Sequence, residues 1–264
     1  MRRCRVDFFK KTGEKMELLK VLTIGNSFAD SIFIFLPKIA ESAGYNLLLE
    51  KANIGGCSLK RHYEEYLKSR ADETYKPYYG KFNLKEKLSS EKWDIITIQQ
   101  ASYDSWKSDS YEPYVQNIVK VIRQYAPQAE IIIQQTWSYR ADSPKLKEWG
   151  ISQKEMFEKL DKAYRDTAEK YQFRLIPTGQ AVQYSRNFPE NGDVAGMTIN
   201  KENGEKIEDF IHFNDRGRYM QSCLWFAFLF NRKCTDVAFI PENISKDDAL
   251  ILQKCAQDAL DFKG

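Results

Sequence analysis

The sequence is poor in the patterns that mark a metal site, a membrane span or a disulfide framework. Its five cysteines (Cys4, Cys57, Cys223, Cys234 and Cys255) are scattered, odd in number and form no C-x-x-C pair. That usage reads as reduced, structural thiols. Two histidines and no H-E-x-x-H leave no zinc motif. No apolar run reaches the roughly 20 residues that cross a bilayer, so no membrane partner is expected. There is also little charge of one sign. Lys+Arg number 40 against 37 Asp+Glu, a net charge of +3, and this gives no electrostatic footprint for nucleic acid. A G-x-S-x-G elbow is missing, which disfavours the common α/β-hydrolase plan. Internal repeats, low-complexity stretches and linkers are missing too, so residues 16–264 read as one domain.

Residues 1–15 are basic (Arg2, Arg3, Arg5, Lys10, Lys11, Lys15) and read as an N-terminal tail, with Met16 as an alternative start. No apolar h-region follows the basic residues. The expectation is a cytoplasmic protein; the alternative is an exported one with a truncated or mis-assigned signal.

With 264 residues, 42% of them apolar, the chain can fill a substantial core. Apolar runs at 18–24, 45–52, 93–100, 129–137 and 173–179 read as strands. Segments 28–44, 58–70, 82–91, 111–127, 151–171, 214–233 and 245–262 read as helices, and 188–208 as a loop or small hairpin. Strand and helix alternate five times, which predicts an α/β fold: a parallel sheet covered by helices on both faces. In such sheets ligands bind beyond the carboxyl ends of the strands. Function is therefore sought in the loops after 24, 52, 100 and 137, and before the helix at 214.

The first of those loops reads Gly25-Asn26-Ser27. Ser27 is placed either to cap the following helix or to act as a nucleophile. A serine hydroxyl needs a base. Asp209 and His212, three residues apart before the buried helix, can supply one: the carboxylate fixes the imidazole tautomer and the far nitrogen takes the proton. His62, in the polar run RHYEEY, reads as a solvated surface residue, which leaves His212 for chemistry. Gly55-Gly56 follows the second strand, where a backbone N–H without a neighbouring Cβ can approach an oxyanion. Gln99 and Gln100 end the third strand on opposite faces, so either amide is a further donor candidate. The aromatics Tyr103, Trp106, Trp137, Tyr139 and Trp149 lie in loops at this edge and read either as a sugar-facing surface or as packing.

Taken in order, these blocks resemble the SGNH (GDSL-type) hydrolases over roughly residues 18–233. Gly25-Asn26-Ser27-Phe28 resembles the G-D-S block, with Asn26 in the Asp place. Asn53-Ile54-Gly55-Gly56 resembles the second block, and Asp209-Phe210-Ile211-His212 matches the final D-x-x-H. Gly217-Arg218-Tyr219 is similar to a poorly characterised bacterial branch. The third block departs from the pattern: Gln100-Ala101-Ser102-Tyr103-Asp104 stands where G-x-N-D is expected, and is similar to carbohydrate and sialate acetylesterases with Gln in the Asn place. The resemblance implies a three-layer α/β/α sandwich on a five-stranded parallel sheet and an esterase without metal or cofactor. It implies a Ser27–His212–Asp209 triad, with Ser27, Gly56 and Gln100 (Gln99 in reserve) as oxyanion donors. Asn26, Tyr103 and Trp137 are expected to line the substrate, a short-chain, acetyl-type ester on a glycan or small molecule. Two alternatives stay open: a non-catalytic glycan- or ligand-binding module, and a thiol enzyme built on Cys57.

Overall fold

A computed structural model describes residues 17–200 and 202–262; the 1–15 tail and Cys4 lie outside them. Five parallel strands, β1 (Leu19–Gly25), β2 (Leu47–Asn53), β3 (Ile95–Ile98), β4 (Glu130–Gln134) and β5 (Arg174–Ile176), pair in the order β2-β1-β3-β4-β5. β3 reads IITI and is buried throughout. That is the signature of a central strand covered on both faces, and each buried Ile side chain contributes about 1.5–3 kcal/mol.

The helices are α1 (Ser27–Asp30), α2 (Leu36–Ser42), α3 (Leu59–Ala71), α4 (Leu84–Ser89), α5 (Tyr114–Tyr125), α6 (Pro144–Trp149), α7 (Gln153–Tyr171), α8 (Thr178–Ser185), α9 (Asp215–Phe230) and α10 (Lys246–Asp261). α2 packs on α9, and α9 on α10; α3 packs on α5. These make the outer layers of a three-layer α/β/α sandwich on the parallel sheet, as the alternation predicted. α9 is buried on most of its surface, Trp225 and Phe226 included, because sheet, α2 and α10 surround it.

Three local departures from the pattern matter for the site. The helix expected over 28–44 is broken: α1 is one turn, a 3₁₀ turn spans Ser31–Phe33, and α2 restarts with Pro37 in its first turn. Proline has no N–H to continue the ladder and is accepted only at a helix start. The fifth strand ends at Ile176, before Pro177, and α8 follows directly. The hairpin is longer than expected: β6 (Ala195–Asn200) pairs antiparallel with β7 (Lys206–Phe213), so Asp209 and His212 sit within a strand.

Candidate active site

The β1–α1 junction shows why Ser27 follows Gly-Asn. Gly25 lies where a Cβ would come within 3.1 Å of both Ala29 Cβ and Gln99 Oε1, so a larger residue would push α1 off the strand end. Asn26 is the helix cap: its Oδ1 accepts the Phe28 N–H at 3.1 Å. Ser27 is therefore not the cap, and its hydroxyl is free to serve another partner.

That partner is His212. Ser27 Oγ lies 2.8 Å from His212 Nε2 across 185 residues of sequence. His212 Nδ1 lies 2.7 Å from Asp209 Oδ2. Residues three apart in a regular strand point to opposite faces, so this contact needs a distortion, and the hairpin has one. Asp209 pairs with Met197 and Phe213 with Ala195, so β7 uses four steps where β6 uses two. The bulge curls the chain, and Asp209 Oδ1 holds the curl by accepting the Ile211 and His212 N–H groups at 2.8 and 2.9 Å. Burial pushes the Asp209 carboxyl up, but those two N–H groups and the imidazole outweigh it and hold it below the usual carboxylate range. It stands as a carboxylate beside the ring at neutral pH.

The loop after β4 supports the same bulge. Trp137 Nε1 donates to Ile211 O at 2.8 Å, and Arg140 N donates to Phe210 O at 3.0 Å. The Trp137 ring is stacked on Phe28 (centroids 3.9 Å, 12° between planes) and on Phe213 (3.5 Å, 9°). Each such pair contributes about 0.5–1.5 kcal/mol beyond area burial. Trp137 is fully buried, and it packs the site instead of facing substrate. Tyr139 is buried as well, its hydroxyl 2.8 Å from Ser102 Oγ, while Trp106 and Trp149 pack against each other. Of the five loop aromatics only Tyr103 is exposed, and its phenol donates to Gly56 O at 3.1 Å.

The Gly55-Gly56 turn is exposed. Gly56 adopts φ +60°, a left-handed conformation that a side chain would strain, with open space around it. Among the described residues, the backbone N–H groups of Ser27 and Gly56 meet no acceptor within the protein.

Beside Trp137, four further sequence expectations need correction. The Gln100 amide does not face the site: its Oε1 accepts the Leu59 and Ala101 N–H groups at 3.0 and 2.8 Å, and its Nε2 donates to Ser110. Gln99, the reserve, is fully buried beneath Gly25. Asn26 is likewise committed inside, its Nδ2 donating to Cys57 O and Gln100 O at 3.2 and 3.1 Å, so it ties three loops together and lines no open surface. His62 is not solvated. It is fully buried, its Nε2–H donates to Gly25 O at 2.9 Å, and its Nδ1 accepts from Tyr78 OH at 3.0 Å. Burial lowers its pKa to about 4, so the ring is neutral and tethers α3 to the strand end before Ser27. One signal was available: Leu59, His62, Tyr66 and Ser69 fall on one helical stripe, and all are buried.

The thiol alternative loses its basis, because burial pushes Cys57 up to about 12 and a protonated thiol is a poor nucleophile. Among the described residues, no group of three or more His, Cys, Asp or Glu side chains is placed to hold a metal ion. None of the described helices is long and apolar enough to cross a membrane.

The sheet order and the three layers match the flavodoxin-like fold that the SGNH/GDSL hydrolases share. A candidate SGNH hydrolase from Slackia heliotrinireducens superposes with a TM-score of 0.57 at 19% identity, over 81% of this chain and 100% of that one. The acetyl xylan esterase AlAXEase does so with 0.51 at 17%, over 79% and 99%. At these identities the likeness is one of fold. The chain belongs to the family described as "Domain of unknown function (DUF4886)", whose profile matches residues 20–259. A DUF4886 family protein from Bacteroides uniformis is 28% identical, with a TM-score of 0.79 over 93% of this chain and 96% of that one. No curated protein matches the chain.

Proposed function

We propose that the protein is a serine esterase that removes a short acyl group, acetyl in the first instance, from a carbohydrate. The observation that carries this reading is the relay of 2.8 Å from Ser27 Oγ to His212 Nε2 and 2.7 Å from His212 Nδ1 to Asp209. In this mechanism the Ser27 oxygen attacks the ester carbonyl while His212 Nε2 takes its proton. The charged ring is stabilised by Asp209, which keeps Nδ1–H fixed. The unpaired Ser27 and Gly56 N–H groups donate to the oxyanion. The tetrahedral adduct then expels the alcohol, which receives the proton from His212. Water, deprotonated by the same ring, releases the acid from the acyl-serine.

The sugar preference is supported by Tyr103, an exposed ring set beside Gly56, since flat aromatic faces suit pyranose rings. The acetyl xylan esterase shares the fold and agrees with this choice without deciding it. The test compares p-nitrophenyl acetate, p-nitrophenyl octanoate and acetylated xylan as substrates. The expected result is acetate and xylan turnover that disappears with Ser27→Ala. Octanoate preferred over acetate would overturn the substrate class, and equal rates with Ser27→Ala would overturn the reaction.

The second reading, a non-catalytic glycan-binding module, rests on the third block: Gln100 supplies no side-chain donor, leaving two backbone groups for the oxyanion. Xylan binding without turnover in the same assay would favour it.

A further inference from the structure

Ser27 and His212 come from distant parts of the chain, and each immediately precedes one outer ring of the same stack. Phe28 follows the serine, Phe213 follows the histidine, and the Trp137 ring lies between them at 3.9 and 3.5 Å. The stack continues into α9. A Cβ at Gly217 would lie 2.4 Å from the Phe213 ring, so the glycine lets Phe213 press against the helix backbone. Phe28 also meets the edge of the His212 ring, centroids 5.5 Å apart. The indole N–H holds Ile211 O, inside the bulge that carries Asp209 and His212. One side chain thus fixes both the spacing of the two segments and the curl of one of them.

We propose that Trp137 is a positioning residue that sets the separation between the Ser27 hydroxyl and the His212 imidazole. This deepens the esterase reading and rests on it. A close-packed stack of three rings has no slack. Removing the middle ring lets α1 and β7 move by a fraction of an ångström or more, and displacements near 1 Å cost about 10²-fold in rate. Trp137→Phe keeps one aromatic ring in the slot while losing the N–H and the second fused ring, so its effect is smaller, about tenfold.

The test measures the rate of Ser27 labelling by a fluorophosphonate, together with kcat and KM for p-nitrophenyl acetate. The variants are Trp137→Leu and Trp137→Phe, each made in wild type and in His212→Ala. In wild type, labelling and kcat fall about 10²-fold for Leu and tenfold for Phe, with KM within twofold. In His212→Ala, the slow labelling that persists is unchanged by either substitution, because the base being positioned is gone. Should Trp137→Leu not fold, Trp137→Phe in both backgrounds gives the same comparison. An equal loss in both backgrounds, or no loss in wild type, overturns the proposal alone. A wild-type protein that takes no label overturns the esterase reading, and the positioning role falls with it.

Discussion

The loops after β1 and after β3 stand side by side at the carboxyl edge of the sheet, and each presents consecutive polar residues there. After β1 the polar chemistry turns outward. Asn26 satisfies the Phe28 N–H and two neighbouring carbonyls from within, and this leaves Ser27 to face His212. After β3 it turns inward: Gln100 itself does the satisfying, for Leu59, Ala101 and the Ser110 carbonyl. A polar residue at a strand end is available for chemistry only where another group has already met the needs of the backbone around it. At β1 that other group is Asn26; at β3 Gln100 has no such neighbour and is consumed.

Four substitutions separate the two sides, and the outward one is the more sensitive in turnover. Asp209→Asn leaves an oxygen for the Ile211 and His212 N–H groups but places an amide N–H against Nδ1. The ring is then held in the tautomer that carries its proton on Nε2, facing the serine. Turnover of acetyl esters is expected to fall about 10⁴-fold with little change in melting temperature.

Asn26→Ala removes a helix cap and leaves two buried carbonyls without a donor. Its expected cost is about 2–4 kcal/mol of stability by urea titration, with labelling of Ser27 reduced in the protein that remains folded.

His62 gives a pH-dependent version of the same argument. Its pKa is about 4 when folded against roughly 6.5 unfolded. The unfolded chain therefore binds a proton that the folded chain refuses. The stability present above pH 6.5 is lost as pH falls toward 4, approaching about 3 kcal/mol. His62→Gln keeps a donor for Gly25 O, so its stability should decline less than that of wild type between pH 7 and 4.5.

Gln100→Ala is the smallest. It should cost about 1–3 kcal/mol through the orphaned N–H groups and leave kcat of the folded enzyme within threefold. A loss of about 10²–10³ in kcat would restore it as an oxyanion donor.

The legibility of the sequence follows the same line. The five parallel strands and the helical layers on both faces were readable because β-branched runs such as IITI alternate with amphipathic helices; the order in which the strands pair was not. Ser27, Asp209 and His212 were readable as residue types in the right order at the right edge. What could not be read was direction. The sequence does not show that Asn26 is the cap, that a bulge in β7 brings Asp209 and His212 to one side, or that Trp137 lies between two phenylalanines. Those depend on pairing register and on contacts over tens of residues. His62 was misread because its neighbours are charged, although its stripe with Leu59 and Tyr66 marked it as inward.

Activation of Ser27 by His212 is measured most directly by incubating the folded protein with a fluorophosphonate probe and mapping the adduct by peptide mass spectrometry, with Ser27→Ala and His212→Ala in parallel. The expected result is a single adduct on Ser27, absent in Ser27→Ala and strongly slowed in His212→Ala. A folded wild-type protein with no adduct, or an adduct on Ser27 indifferent to His212, would contradict an activated serine at this site.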